Sequence, residues 1–478
     1  MLIRATLKYL PAQVLAPLAQ LVSMVVWTHW LAPVQMGAYT LVVTTQELAY
    51  LACLSWFSVH ALRSLPGGDP DPAVRQRYLD TENAVVVAAS IVLALVAALF
   101  TLSLPDVESR WQAALAVAAF FVTRAFHAHY AERARAQSSY MAYTLLQSVG
   151  PIGGLALGML ALQFVEPTAA VLCASYALAN LIGTLLALPS IGMTWRLRCP
   201  DPSMLRAALA FGGPMLGLSA LGWVAENHLR YVVQWQSGAV ALGLMAVGWG
   251  LGRRCASVAS MLVTTAGFPI ASRLLNEGLR AEAITQLGVN AAMLLAVTLP
   301  VSAALAFIGP AIVELAVAPA YREATNAVLA LSVISGVVRC LHVHITDQWL
   351  VLERRFGLAA RVDVIEIVAC GAASVAGLAW FGLHGAVAGQ LLGSCVAFAA
   401  SLWFATARAQ FRWPWVDTGK VALATTAMCA ALWWLGVDGG VMGIATAFVV
   451  GALVYGAALA GCYLSPVRGM VLRAVRRG

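Results

Sequence analysis

Five arginines sit inside stretches that are otherwise apolar: Arg124, Arg230, Arg253, Arg254 and Arg339. An arginine at the centre of a bilayer costs about 2.5–3.5 kcal/mol on the insertion scale. Such a set therefore faces a bundle interior or an aqueous cavity. A guanidinium offers a planar fork of donors that matches phosphate bidentately, so the chemistry on offer is binding of an anion. His127 follows Arg124 by three residues and His342 follows Arg339 by three, which places each pair on one helix face. Both histidines serve equally well as packing residues. Arg253 and Arg254 point about 100° apart on a helix and do not share one wall. Arg230 follows Glu226 by four, a spacing that also allows plain neutralisation. Arg124 and Arg339 lie near the cytoplasmic ends of their helices, where snorkelling is the competing explanation.

The acids in or near these stretches are Glu47, Glu226, Asp347, Asp363 and Glu366. Glu226 is the candidate for coupling to a proton or a sodium ion. Asp363 and Glu366 are assigned to the inner interface, beside Arg354, Arg355 and Arg361. No cofactor and no metal is expected. The nine cysteines form no CxxC and no Cys/His cluster, so disulfides and zinc are not expected either.

The elements that hold these residues follow from composition. Hydrophobic residues make up 61% of the 478, and charged ones only 10%, against about 25% in soluble domains. Apolar runs fall at 10–32, 38–62, 83–104, 111–131, 140–163, 168–192, 207–233 and 238–266. Six more fall at 288–309, 324–346, 357–381, 384–407, 418–436 and 440–463. Each is long enough as a helix to cross about 30 Å of hydrocarbon. The fold class is all-α, a polytopic membrane protein of about fourteen transmembrane helices. Of the 29 lysines and arginines, only Arg110 and Arg322 fall in outside loops when both termini are cytoplasmic, as the positive-inside rule requires. The net charge of +8 is thus a topology signal, and nucleic acid is not an expected partner.

Outside loops are short. Pro33–Gly37 is the first, and the longest spans 310–323. Pro17, Gly150-Pro151 and Gly212-Gly213-Pro214 are candidate hinges. Gly385, Gly389 and Gly393 mark a packing face. Trp27-Thr28-His29-Trp30 reads as an interfacial belt, with sugar stacking as the sharper alternative. Ala32–Tyr39 is echoed by Gly238–Met245, and Glu132-Arg133 by Glu353-Arg354. The echoes divide the chain into an N-terminal lobe (1–206), a C-terminal lobe (207–412) and two extra helices with a basic tail (413–478).

Fourteen helices in this arrangement, Pro33…Gly37-Ala38-Tyr39 after helix 1, and basic turns after helices 4 and 10 resemble polysaccharide exporters. These belong to the multidrug/oligosaccharidyl-lipid/polysaccharide superfamily, with the lipid II flippase as a relative. Glu226-Asn227-His228-Leu229-Arg230-Tyr231 is similar to an acidic–Arg–Tyr stretch of helix 7 in that group, with the acid displaced. The resemblance covers nearly the whole chain. It implies two helical lobes working by alternating access in the bacterial inner membrane. It implies a cargo of undecaprenyl pyrophosphate bearing an oligosaccharide repeat, for O-antigen, exopolysaccharide or capsule. Expected partners are that lipid-linked oligosaccharide, membrane lipids, and the polymerase and glycosyltransferases of the pathway.

Two other functions compete. A cation-coupled multidrug antiporter of the same superfamily needs a carboxylate-centred site, whereas the intramembrane balance here favours arginine. A membrane glycosyltransferase or polymerase needs an acid/base cluster on a sizeable external loop, and Glu108 and Glu314 are isolated. The chain is not expected to be an enzyme.

Overall fold

The computed structural model describes residues 2–65, 72–103, 110–192, 196, 198–437 and 439–475. Pro66–Pro70, Glu108, Arg476 and Arg477 lie outside the described residues.

Every regular element among the described residues is helical. In order they are α1 (Leu2–Thr28), α2 (Pro33–Tyr50), α3 (Trp56–Ser64), α4 (Pro72–Ser103), α5 (Arg110–Ala136), α6 (Tyr140–Ala161) and α7 (Ala169–Ile191). Then come α8 (Pro202–Asn276), α9 (Arg280–Ala316), α10 (Pro319–Leu341), α11 (Asp347–Leu352), α12 (Phe356–Ala409), α13 (Trp415–Leu435) and α14 (Val441–Val475). A π-helical turn, Leu51–Ser55, joins α2 to α3, and a second, His342–Thr346, joins α10 to α11. Each of those pairs is one continuous rod. Conversely, α8 is broken at Gly238 (φ 80°, ψ −179°) and α12 at Gly382 (φ 62°, ψ −148°). These backbone angles are open to glycine almost alone. The breaks fall where the sequence separates helix 7 from 8 and helix 11 from 12, so the described residues form fourteen rods in the expected order. Among the described residues, eight helical stretches are long and apolar enough to cross a membrane by length and composition. Two of them, Pro202–Met261 and Phe356–Ala409, run through the glycine breaks.

Several boundaries differ from the sequence reading. Pro33 is the first residue of α2, so the turn between α1 and α2 is His29–Ala32. Proline is favoured there because its missing N–H would be unpaired anyway. The same holds for Pro319 at the start of α10, while α9 continues through Pro310. The expected outer loop 310–323 shrinks to Val317–Ala318, and Glu314 lies in α9. α1 continues through Pro17. α4 starts at Pro72, well before its apolar run, and carries Asp80, Glu82 and Asn83 into packed helix. Trp27 is 1% exposed and packs edge-on to Tyr176, so it belongs to neither an interfacial belt nor a cavity mouth. Ahead of α8, Asp201 accepts from the Ser203 hydroxyl and N–H at 2.6 and 2.8 Å. Those bonds hold its carboxyl below the ordinary value.

The chain gathers into two compact units, Met1–Gly243 and Leu244–Gly478. In the first, α7 packs on α5 and α6, α1 on α6, and α4 on α5. In the second, α10 packs on α9 and α12, and α13 on α9 and α14. Gly385, Gly389 and Gly393 let the two halves of α12 touch backbone to backbone, since a Cβ at any of them would overlap Gly377, Ala373 or Cys370.

Within the first unit, the two echoing segments pack on each other. A Cβ on Gly37 would overlap the Ala239 carbonyl, and one on Gly243 the Pro33 carbonyl. Gly243→Val therefore overpacks a backbone crossing, at a cost of about 1–3 kcal/mol. Thermal melting of the purified variant should fall clearly below the wild type, and an unchanged melt would mean the crossing tolerates a side chain.

Candidate functional site

The first unit brings two of the five arginines to one turn of α2. Arg124, from α5, sets Nη2 2.8 Å from Glu47 Oε1 and Nη1 3.3 Å from the Val43 carbonyl, with Phe120 beneath it. Arg230, from α8, donates to Thr44 Oγ1 at 2.9 Å and to Asn227 Oδ1. Tyr231 Oη lies 3.0 Å from Thr45 Oγ1. The turn from Val43 to Glu47 is thus flanked by two guanidinium groups and a phenol. The Arg124–Glu47 pair remains open, with side chains 28% and 40% exposed. Glu226 is half-buried on the same stretch of α8. His127 does not share this wall. Its ring lies against Gly150 and Gly183, near Asn180, where the missing side chains leave room for an imidazole. Three residues' spacing puts it next to Arg124 on α5, but α6 and α7 claim the histidine while α2 claims the arginine.

A second cluster escaped the sequence reading. Glu82 on α4 meets His129 Nε2 at 2.9 Å and Arg133 Nη1 at 2.5 Å, all with fully buried side chains. Arg133 also donates to the carbonyls of Ile191 and Gly192, and His129 Nδ1 lies 2.8 Å from Ser58 Oγ. By sequence Arg133 falls in the basic turn after the apolar run 111–131. α5 in fact extends to Ala136 and α4 runs beside it. A charge pair this deep needs its hydrogen bonds satisfied; Glu82 and the Ile191 and Gly192 carbonyls take both Nη atoms of Arg133, while its Nε is left without a partner.

The second unit holds the other three arginines. Arg253 stacks on Trp249 with its guanidinium carbon 5.1 Å from the ring centroid, and donates to the Ser335 carbonyl at 3.4 Å. Arg254 is half-buried one position on. Arg339 meets both oxygens of Glu366 at 2.5 Å, with side chains 10% and 0% exposed. His342 Nε2 lies 2.7 Å from Asp347 Oδ2, and its Nδ1 3.7 Å from Glu366 Oε2. His342 and Asp347 are five residues apart, which on an α-helix would separate them. The π-turn between them puts positions i and i+5 in register. Ser401 completes the chain, 2.8 Å from Asp347 Oδ1 and 2.7 Å from Thr346 Oγ1.

These contacts revise the acid assignments. Glu366 is a buried partner of Arg339, not an interfacial residue beside Arg354, Arg355 and Arg361. With Glu82, Asp347 and Glu366 inside the packed helices, the excess of arginine over acid suggested by the apolar runs disappears. No group of three or more His, Cys, Asp or Glu among the described residues has the geometry to hold a metal ion.

No family model matches the chain, and no curated protein matches it. Solved structures do. Lipid II flippase MurJ in an inward closed conformation superposes with a TM-score of 0.70 at 10% identity, over 97% of this chain and 100% of the flippase. An inward-facing multidrug transporter of the MATE family gives 0.60 at 12% identity, over 85% of this chain and 98% of the transporter. A mutant of the Vibrio cholerae MATE transporter VcmN gives 0.57 at 16% identity, over 85% and 97%. At these identities the likeness is one of fold. This chain is a multi-pass membrane protein with the fold shared by those flippase and transporter structures.

Proposed function

We propose that the chain is a flippase for an undecaprenyl-pyrophosphate-linked oligosaccharide repeat unit. It turns that unit across the bacterial inner membrane by alternating access, with both termini in the cytoplasm and lobes at 1–206 and 207–412. The observation that carries this reading is the open Arg124–Glu47 pair. A half-exposed ion pair contributes only about 0–1 kcal/mol, so an incoming phosphate displaces the Glu47 carboxylate at little cost. Arg230 stands on the other side of the same α2 turn and supplies a second fork. The Arg339–Glu366 pair behaves differently, because its carboxylate is sealed from any ligand. Arg124 and Arg230 are therefore assigned to cargo, Arg253 and Arg254 to the anion route, and Arg339 to holding the second unit together. His127 and His342 shape the walls and do not touch cargo. The polymerase and glycosyltransferases of the pathway are the proposed partners.

The test is complementation. The chain should restore polymer export in cells that lack a repeat-unit flippase but retain the glycosyltransferases. No export in a cell where the protein is abundant and folded would remove this assignment.

One observation favours a second reading, a cation-coupled multidrug antiporter. The Asp347, Glu366 and Asp363 carboxylates gather around His342 and leave acid in excess of Arg339. The same cluster serves the flippase reading as the seat of proton or sodium coupling, ahead of Glu226. Reconstituted transport that ignores both gradients would end the coupling proposal.

A further inference from the structure

At the end of α12 the chain builds a groove of about 580 Å³ that none of the clusters above touches. It is lined by Leu402, Trp403, Phe411, Arg412, Trp413 and Trp415, among others. Its shape is set by a helix cap. Gln410 takes the left-handed conformation (φ 57°), and the Phe411 N–H donates back to the Ala405 carbonyl at 2.9 Å, closing α12 as such caps do. The turn buries Phe411 and leaves Arg412 exposed. Trp413 is fixed by a 3.0 Å bond from Nε1 to Thr418 Oγ1 and by edge contacts with Phe398 and Phe411. Trp403 and Trp415 remain 56% and 68% exposed.

Charge singles the groove out. Arg412 has no hydrogen-bond or ion-pair partner among the described residues. Arg280, in the same region, is paired with Glu353 and with Gln410. The nearby carboxylate of Asp417 is engaged by Lys420 and by Tyr463. An interfacial aromatic belt accounts for the exposed tryptophans and the positive-inside rule for a basic residue at this helix end, but neither requires the guanidinium to line a concave site beside them.

We propose that this groove binds the headgroup of an anionic phospholipid, with the phosphate on Arg412 and one acyl chain along Ala399 and Leu402. A free anion would gain only one exposed cation, which is worth little. A lipid adds apolar burial along the helix and is supplied at high local concentration by the bilayer. Arg408, exposed in the last turn of α12, adds to the attraction. Bound there, the lipid bridges α12 and α13.

Native mass spectrometry of the full chain, titrated with phosphatidylglycerol and separately with phosphatidylcholine, tests this. The wild type should retain one phosphatidylglycerol in preference to phosphatidylcholine by about fivefold, as one basic residue at a membrane surface confers. Arg412→Gln should abolish the preference, and Trp415→Ala should weaken both lipids. Arg273→Gln, which removes an exposed arginine beside Glu277, should change nothing. The proposal is overturned if Arg412→Gln keeps the preference, if excess glycerol 1-phosphate displaces the lipid completely, or if all three variants behave alike. Melting temperature gives an independent reading: phosphatidylglycerol should raise it in the wild type and not in Arg412→Gln.

Discussion

Arg133→Ala should unfold this protein at a markedly lower temperature than any other single arginine change in the first unit. The substitution leaves the Glu82 carboxylate with only the His129 imidazole in a place closed to solvent, and it frees the Ile191 and Gly192 carbonyls. Removing one partner of a buried pair costs about 3–5 kcal/mol, a large part of the stability of most folded units. Glu82→Gln combined with Arg133→Gln should recover much of the loss, because no isolated charge remains inside. The measurement is a thermal melt of the three purified proteins in one detergent. If Arg133→Ala melts with the wild type, the cluster is not holding α4, α5 and α7 together.

Arg124→Ala should show the reverse pattern, with transport lost and the fold kept. Its pair with Glu47 is open to water, so stability should change by no more than about 1 kcal/mol. Charged hydrogen bonds to a phosphate contribute about 1.5–3 kcal/mol, and their loss should lower apparent cargo affinity about ten- to hundredfold. Glu47→Gln should retain export, since the carboxylate only occupies the place the phosphate takes. Polymer at the cell surface, normalised to protein in the membrane, reads both variants. Normal export by Arg124→Ala, or export lost on Glu47→Gln with Arg124 unaffected, would separate this pair from the cargo.

The contrast between the two arginines was not visible along the chain. Apolar length is a local property, so the order of the fourteen rods could be read from it, as could the places where α8 and α12 divide, though not the glycine conformations that divide them. Burial of charge is a tertiary property. Arg124 sits within an apolar run and proves half-exposed, whereas Arg133 sits beyond the run and is sealed by α4 and α7. Glu82 falls just ahead of the apolar run 83–104 for the same reason: the helix starts earlier than its hydrophobic part. The π-turn at His342–Thr346 has no compositional mark, and without it the His342–Asp347 contact has no helical spacing to suggest it. One signal was available. An arginine two residues after an apolar run and four after a histidine near its end, as Arg133 follows His129 and the run 111–131, fits a helix face that continues past the run. Gly37 and Gly243 illustrate the opposite case, where an echo in sequence turned out to be a contact in space.

The central claim is that the cargo is an anionic lipid and not an organic cation. Purified protein in proteoliposomes, offered a polyprenyl-pyrophosphate oligosaccharide in one arm and a fluorescent organic cation in the other, tests it directly. Appearance of the sugar at the far leaflet would be followed with a membrane-impermeant lectin. The expected result is translocation of the lipid-linked sugar that disappears with Arg124→Ala, and no movement of the cation. Gradient-driven efflux of the cation with the sugar left in place would contradict it.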